Sequence, residues 1–259
     1  MFENIIKNVH NRHPLIHCIT NYVSINDCAN IVLACGGAPI MAEDINEVSQ
    51  ITSICQGLDI NIGMLNDNKL SSMLKAGATA NELGIPVILD PVGAGSSDYR
   101  IKAVQNLMSN VQFGVIRGNV SEIKAIAAKQ GIHNISAGVY DTMQKDKSAM
   151  GVEAGIADKI TDDNIKEMAD FINKLSQKTG AVIAVTGRID MVADENRVYA
   201  IRNGHKMMSL VTGAGCQLSA LTSAYVAADK EHILESVCAA VSVMGISGEL
   251  ACAYRFSTY

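Results

Sequence analysis

"PVILDPVGAG", residues 86–95, runs from an apolar β-branched stretch into an acid, a proline and a glycine-rich turn. Four further runs have the same form: "LIHCIT" (15–20), "LDINIG" (58–63), "FGVIRGN" (113–119) and "AVIAVTG" (181–187). Each is followed by polar or glycine residues and then by helical spacing, so the repetition predicts stacked βαβ units around a mostly parallel sheet. Between 162 and 180, Ile165, Met168, Ala169, Ile172 and Leu175 follow helical spacing, and Gly180 supplies the stop. "DMVADENRVYAIRNG" (190–204) breaks the rhythm. Two short alternating strands about Asp194-Glu195-Asn196 predict a hairpin, an antiparallel edge on the parallel sheet. With no internal repeat, low-complexity tract or Pro/Gly/Ser linker, residues 1–259 read as one domain. Residues 131–158 lack sustained periodicity, which inside an α/β domain reads as a lid or as unrecognised elements.

Composition narrows the partner. Hydrophobic residues make up 48% and charged residues 18% of the 259, below the roughly 25% charged of an ordinary domain, which points to extensive buried surface, part of it between subunits. A formal net charge of −5 without a basic block offers little to a nucleic-acid backbone or an anionic membrane. The longest weakly polar stretches, "CANIVLACGGAPIMA" (28–42) and "SVCAAVSVMGISG" (236–248), fall short of about 18 strongly apolar residues, so no membrane span is predicted. "MFENIIKNVHNRHP" has an early acid and no apolar core of a signal peptide, which predicts a cytoplasmic protein. Seven scattered cysteines, never spaced C-x-x-C, argue against a disulfide framework or a zinc knuckle and read mostly as small core residues. The expected partner is a small molecule.

In open parallel sheets, ligands collect beyond the carboxyl ends of the strands. The residues there are Asn21, Gly63, Asp90 with Gly93 and Gly95, Arg117, Asn119 and Glu122, Thr186 with Gly187, and the late motif "VTGAGCQLSA" (211–220). These acids, one arginine and two glycine-rich turns are the inventory for a polyphosphate with Mg²⁺. In Gly213-Ala214-Gly215-Cys216, a turn opening a helix leaves main-chain N–H groups unpaired and adds the positive end of the helix dipole. Its missing Cβ atoms are expected to let a phosphoryl group come close. The triplet serves equally as a plain strand-to-helix turn. G-x-x-x-x-G-K-[ST] is absent, and "GAGCQL" lacks the third glycine of a dinucleotide fingerprint. Asn119 and Glu122 in "GNVSEI" (118–123) form a capping-box pattern, compatible with Glu122 lying near Asp90. Asp90, ending an apolar strand before proline, is expected at a cleft mouth. His17, His133 and His205 are isolated and receive no role.

Taken together, "ITNYVSINDCANIVLACGGAPIMAED" (19–44), "INIGML" (60–65), "ILDPVGAG" (88–95), "VIRGNVSEI" (115–123), "AVTGRID" (184–190) and "VTGAGCQLSA" closely resemble the hydroxyethylthiazole kinases, the thiamine-salvage members of the ribokinase-like superfamily. The resemblance implies a ribokinase-like three-layer α-β-α fold with helices on both faces of the sheet. It implies ATP- and Mg²⁺-dependent phosphorylation of the hydroxyethyl group of 5-(2-hydroxyethyl)-4-methylthiazole. Carried over by residue, Asn21, Val23, Met41, Gly63 and Gly213 line the thiazole alcohol site. Arg117 and Thr186 contact ATP, with Gly215 in the phosphate turn, and Asp90 and Glu122, with Asn119 nearby, organise magnesium. A homotrimer is also implied, the N-terminal motif of one chain meeting the C-terminal glycine motif of another. The 131–158 stretch is longer than the family's usual connection. Cys216 stands where the superfamily commonly has an aspartate base, and it is read either as a thiolate favoured by the helix N-terminus or as a thiol that orients the alcohol. The alternatives are a pyridoxal- or hydroxymethylpyrimidine-type kinase, an ATP-dependent nicotinamide-hydrate dehydratase, and a nucleotide sensor without turnover.

Overall fold

The computed structural model describes residues 2–132 and 159–257, with side chains as far as residue 254. His133 and nearly all of the aperiodic 131–158 stretch lie outside the described residues. The strands are β1 (Leu15–Ile19), β2 (Ala38–Met41), β3 (Gly57–Asn61), β4 (Val87–Asp90), β5 (Val115–Asn119), β6 (Val182–Thr186), β7 (Asp190–Ala193) and β8 (Val198–Ile201). They form one sheet in the order β2-β1-β3-β4-β5-β6-β7-β8. The first six strands of this order are parallel, and β7 and β8 are the antiparallel hairpin edge expected around Asp194–Asn196. β2 was not legible as a strand. It is four residues long and contains Pro39, tolerated because an edge strand loses no ladder bond where the N–H is missing.

The helices are α1 (Phe2–Arg12), α2 (Ile25–Ala34), α3 (Val48–Ile54), α4 (Asp67–Glu82), α5 (Asp98–Asn110), α6 (Val120–Lys129), α7 (Ile165–Thr179), α8 (Ala214–Ala228) and α9 (Ile233–Ser257). α7 matches the predicted amphipathic helix, with Met168, Ile172 and Leu175 buried and Gly180 in the left-handed region beyond its end. Side chains alternate across the strands. Leu58, Ile60, Leu89, Ile116 and Ile183 meet apolar residues of α3 to α7 on one face. Ile16, Cys18, Ile88, Val115 and Ala184 meet those of α1, α2, α8 and α9 on the other. The result is the expected three-layer α-β-α arrangement.

α8 is the central helix of the second layer. Every residue from Leu218 to Ala228 is buried, because the helix lies on β1, β3 and β4 and is covered by α1, α2 and α9. Its approach to β3 depends on Gly57, where a Cβ would stand 3.1 Å from Ala227 Cβ and 3.2 Å from the Ser223 carbonyl oxygen. That close seating brings the first turn of α8 to the carboxyl ends of the strands. All seven cysteines are free, and only Cys35 and Cys252 are half-exposed.

α9 corrects the length counted from sequence. The 22 residues Ile233–Tyr254 are long and apolar enough by composition to cross a bilayer, with mean hydropathy 1.6. In the fold, Leu234, Val237, Cys238 and Ala239–Val241 pack into the second layer, whereas Ile246, Leu250 and Tyr254 are exposed.

Replacing Gly57 by valine is expected to lift α8 from β3 and cost about 1–3 kcal/mol, the usual range for overpacking a tight core. The midpoint of urea unfolding measures this; an unchanged midpoint would show that α8 is free to shift.

Candidate active site

The parallel strands all deliver their last residues to one edge of the sheet. Asn21 follows β1, Asn61 ends β3 and Asp90 ends β4, with Asn61 and Asp90 opposite each other in register. Asn61 Nδ2 donates to Asp90 Oδ2 at 2.8 Å, and Ser219 Oγ of α8 donates to the same oxygen at 2.8 Å. Asn21 Nδ2 donates to Asn61 Oδ1 at 3.1 Å and lies 3.1 Å from Cys216 Sγ. Arg117 Nη1 stands 3.8 Å from Asp90 Oδ2, and Arg117 Nη2 donates to Thr186 Oγ1 at 2.6 Å. Asn21, Asp90, Arg117, Thr186 and Cys216 are therefore brought together as expected.

Asp90 differs from its expected place at a cleft mouth. It is 1% exposed, because Ser219 and the first turns of α8 lie over the end of β4. Burial raises its carboxyl pKa, and Arg117, Ser219 and Asn61 pull in the opposite direction. Its Oδ1 is buried without a partner among the described residues.

The paired glycines are closely packed by protein. A Cβ on Gly213 would meet Ser24 Cβ at 2.6 Å, and one on Gly215 would meet Arg117 Nη1 at 2.9 Å. Ser24 and Arg117 thus lie where those side chains would stand. Gly213 is further required by its φ of +75°. The N–H groups of Gly215 and Cys216 make no backbone hydrogen bond among the described residues, as expected for the first turn of a helix. Gly213 against Ser24, and Cys216 against Asn21, join the N-terminal and C-terminal motifs within one chain.

Cys216 is the third residue of α8, and its sulfur is buried. Burial first, then the neighbouring Asp90, push its thiol pKa up, against hydrogen bonds from Ser24, Asn61 and Asn21. A raised thiol pKa favours the reading of Cys216 as a thiol that orients the alcohol over the thiolate.

Glu122 closes the capping box expected of it. Its Oε2 accepts from the Asn119 N–H and Asn119 Oδ1 accepts from the Glu122 N–H, closing the capping box of α6. Its Oε1 accepts from the Gly93 N–H at 2.8 Å, which ties the "VGAG" turn to α6. Burial and Asp90 both raise its pKa. Among the described residues no three His, Cys, Asp or Glu side chains gather to hold a metal by themselves. Two carboxylates, one with an unpaired buried oxygen, nevertheless fit Mg²⁺, which takes one or two carboxylates and completes its shell with water and substrate phosphates. The Asn119 side chain is committed to the cap, so it suits support of Glu122 better than direct ligation.

On the other side of Asn61, Gly63 leaves no room for a side chain: a Cβ would lie 2.9 Å from Asn61 Oδ1. Arg100 holds this turn by donating to the carbonyls of Ile62, Gly63 and Val92 at 2.6–2.9 Å. Lys69, buried in α4, donates to the Thr20 carbonyl at 2.5 Å, pairs with Glu43 at 2.7 Å and lies 4.5 Å from the Tyr22 ring centroid. These contacts shape the loop bearing Asn21 and Val23. Val23 itself is exposed, and Met41 is half-buried at the end of β2. His17 is structural, bonded to Thr52 Oγ1 and the Ala42 carbonyl, and His205 caps the short turn Lys206–Leu210.

Asn61, Ser219, Arg100, Lys69 and Asp59 were not singled out from sequence. Ser219 was findable, being one helical turn beyond Cys216. Asn61 and Asp59 were findable as polar residues two apart in the apolar run "LDINIG", hence on one strand face. Nothing local marks Lys69 or Arg100. Asp59 is wholly buried with both carboxyl oxygens unpaired among the described residues, and burial, then Asp90, drive its pKa well up.

The sequence matches the hydroxyethylthiazole kinase family over residues 6–258. A hydroxyethylthiazole kinase of Clostridium acetobutylicum is 52% identical over 251 residues, 97% of this chain and 86% of that protein. The structure of a hydroxyethylthiazole kinase protein from Pyrococcus horikoshii superposes with a TM-score of 0.82 at 32% identity, covering 100% of this chain and 87% of the other. A ribokinase-like superfamily protein from Enterococcus faecalis, 11% identical with a TM-score of 0.58 over 96% of this chain and 81% of its own, shares the fold alone.

A neutral buried Asp59 has a definite thermodynamic consequence. Above the unfolded carboxyl pKa near 3.9 the unfolded chain has released a proton that the folded chain keeps. Stability therefore falls as pH rises, by up to about 1.4 kcal/mol per pH unit until the folded group ionises. Asp59→Asn removes this slope, so its gain in melting temperature over wild type should widen from pH 5 to pH 8. A pH-independent difference would show that Asp59 is ionised in the fold.

Proposed function

The chain belongs to the hydroxyethylthiazole kinase family, and from that premise we propose that it transfers the γ-phosphoryl group of ATP to the primary hydroxyl of 5-(2-hydroxyethyl)-4-methylthiazole in thiamine salvage. The observation that carries this reading is the single hydrogen-bonded set running from Asn21 and Cys216 to Asp90, with Arg117 3.8 Å beyond. It joins a pocket floor suited to an uncharged alcohol to a carboxylate and guanidinium suited to phosphate.

The alcohol sits among Asn21, Val23, Met41, Gly63 and Gly213, with its hydroxyl toward Cys216. In loose phosphoryl transfer the nucleophile's proton leaves late, so positioning and charge neutralisation carry most of the acceleration. A protonated thiol is sufficient to orient the oxygen. The free amides of Gly215 and Cys216, at the positive end of α8, receive the equatorial oxygens, and Arg117, steadied by Thr186, offsets the charge on the nucleotide side. Asp90 and Glu122 are the residues that hold Mg²⁺, with Asn119 fixing Glu122. The ion, when bound, supplies charge neutralisation on the β- and γ-phosphates.

Residues 1–259 form one catalytic domain in this reading, and the active enzyme is a cytoplasmic homotrimer. Support for assembly comes from exposed apolar residues around the site, Tyr22, Val23, Met64, Leu210 and Val211. They surround the site, which in this reading lies between subunits, with a neighbouring chain closing it. Light scattering is expected to report a three-chain particle.

ADP formation should depend on the thiazole alcohol and be far slower with pyridoxal or hydroxymethylpyrimidine. Equal turnover without any alcohol would overturn the assignment. In the same assay, Cys216→Ala should lower kcat by less than the ~10²–10⁴ lost with a general base, and Cys216→Asp should remain active. An inactive aspartate variant would contradict the orienting role given to the thiol.

A further inference from the structure

The mechanism above leaves Asn61 without a task, although it stands between the two halves of the site. It is fully buried, and both sides of its amide are engaged. Its Oδ1 accepts from Asn21 Nδ2 at 3.1 Å and from the Gly63 N–H at 2.9 Å, using both lone pairs, while its Nδ2 donates to Asp90 Oδ2 at 2.8 Å. This orientation is not reversible, because the Gly63 N–H can only donate and so must face the oxygen.

The constraint propagates. Asn21, obliged to donate to Asn61, turns its own oxygen to the N–H and Oγ of Ser24, each at 3.1 Å, and sets its Nδ2 beside Cys216 Sγ. Hydrogen bonds then run in one direction from Ser24 through Asn21 and Asn61 to Asp90, where Ser219 arrives from α8. Such chains are cooperative and allow one arrangement of their dipoles.

We propose that Asn61 is a positioning residue whose single planar amide keeps the alcohol-binding loop, through Asn21, in fixed register with the phosphate-side carboxylate Asp90. The inference rests on the phosphotransfer reading and deepens it, since in-line attack needs the hydroxyl and the γ-phosphorus aligned. A misplacement of about 1 Å can cost on the order of 100-fold in rate. Aspartate at this position has nearly the same shape and keeps an oxygen for Asn21 and Gly63. It replaces the donor with a second carboxylate oxygen against Asp90, so the register breaks while the packing is retained.

The test compares wild type with Asn61→Asp and Asn61→Ala for kcat, both KM values and melting temperature. The kcat is expected to fall about 10- to 100-fold in each variant, with either KM moving by no more than about threefold. The isosteric Asn61→Asp carries the test if the alanine variant does not fold. A cycle with Asn21→Ala should be non-additive, the double variant being about as slow as the slower single one. The proposal is overturned by a folded Asn61→Asp variant with kcat within twofold of wild type. It is equally overturned by a loss of kcat matched by both KM values and the melting temperature, or by losses that multiply in the cycle. Wild type without thiazole-dependent ADP formation overturns the phosphotransfer reading and this inference together. Active wild type beside an unimpaired variant overturns this inference alone.

Discussion

The buried carboxylate at the end of β4 is the constraint around which the site is organised. An acid with 1% exposure survives only if neighbours replace the water it has lost. Here the replacements come from three parts of the chain: Asn61 from the adjacent strand, Ser219 from α8, and the more distant Arg117 guanidinium from β5. Seating α8 over the strand ends is thus both a packing event and an electrostatic one. The Ser219 bond and the first-turn amides of α8 depend on the same close contact between α8 and β3.

Glycine makes that contact possible at both ends of the helix. Gly57 lets Ala227 lie against β3, and Gly215 lets the Arg117 guanidinium lie against the opening turn. Gly213 combines a left-handed backbone with a site where Ser24 leaves no space for a side chain. The function of these glycines is closer approach of one protein segment to another. The same turn leaves the N–H groups of Gly215 and Cys216 without a backbone hydrogen bond among the described residues.

Charge in this region is kept low by burial. Asp59, Asp90 and Glu122 share the neighbourhood of a single guanidinium; burial raises all three pKa values, and the Asp90 carboxylate adds to the rise at Asp59 and Glu122. Burial first, and Asp90 second, likewise raise the Cys216 thiol. A site so poor in fixed charge is matched to an uncharged alcohol.

The sequence alone determined the alternation of strands and helices, the hairpin edge, the capping box of α6 and the residues that gather at the strand ends. Each of these is written in local periodicity or in a turn chemistry spanning a few residues. Tertiary structure alone decided that β2 closes one edge of the sheet, that Asp90 is covered, that the two glycine side-chain spaces are occupied by Ser24 and Arg117, and that Asn61 joins Asn21 to Asp90. Those outcomes depend on contacts between positions 23 (Leu15 with Ala38) to 195 (Asn21 with Cys216) residues apart. Local pattern places a residue on a face or at an end. Only the packing of α8 on the sheet fixes which groups share that end and how much water remains between them.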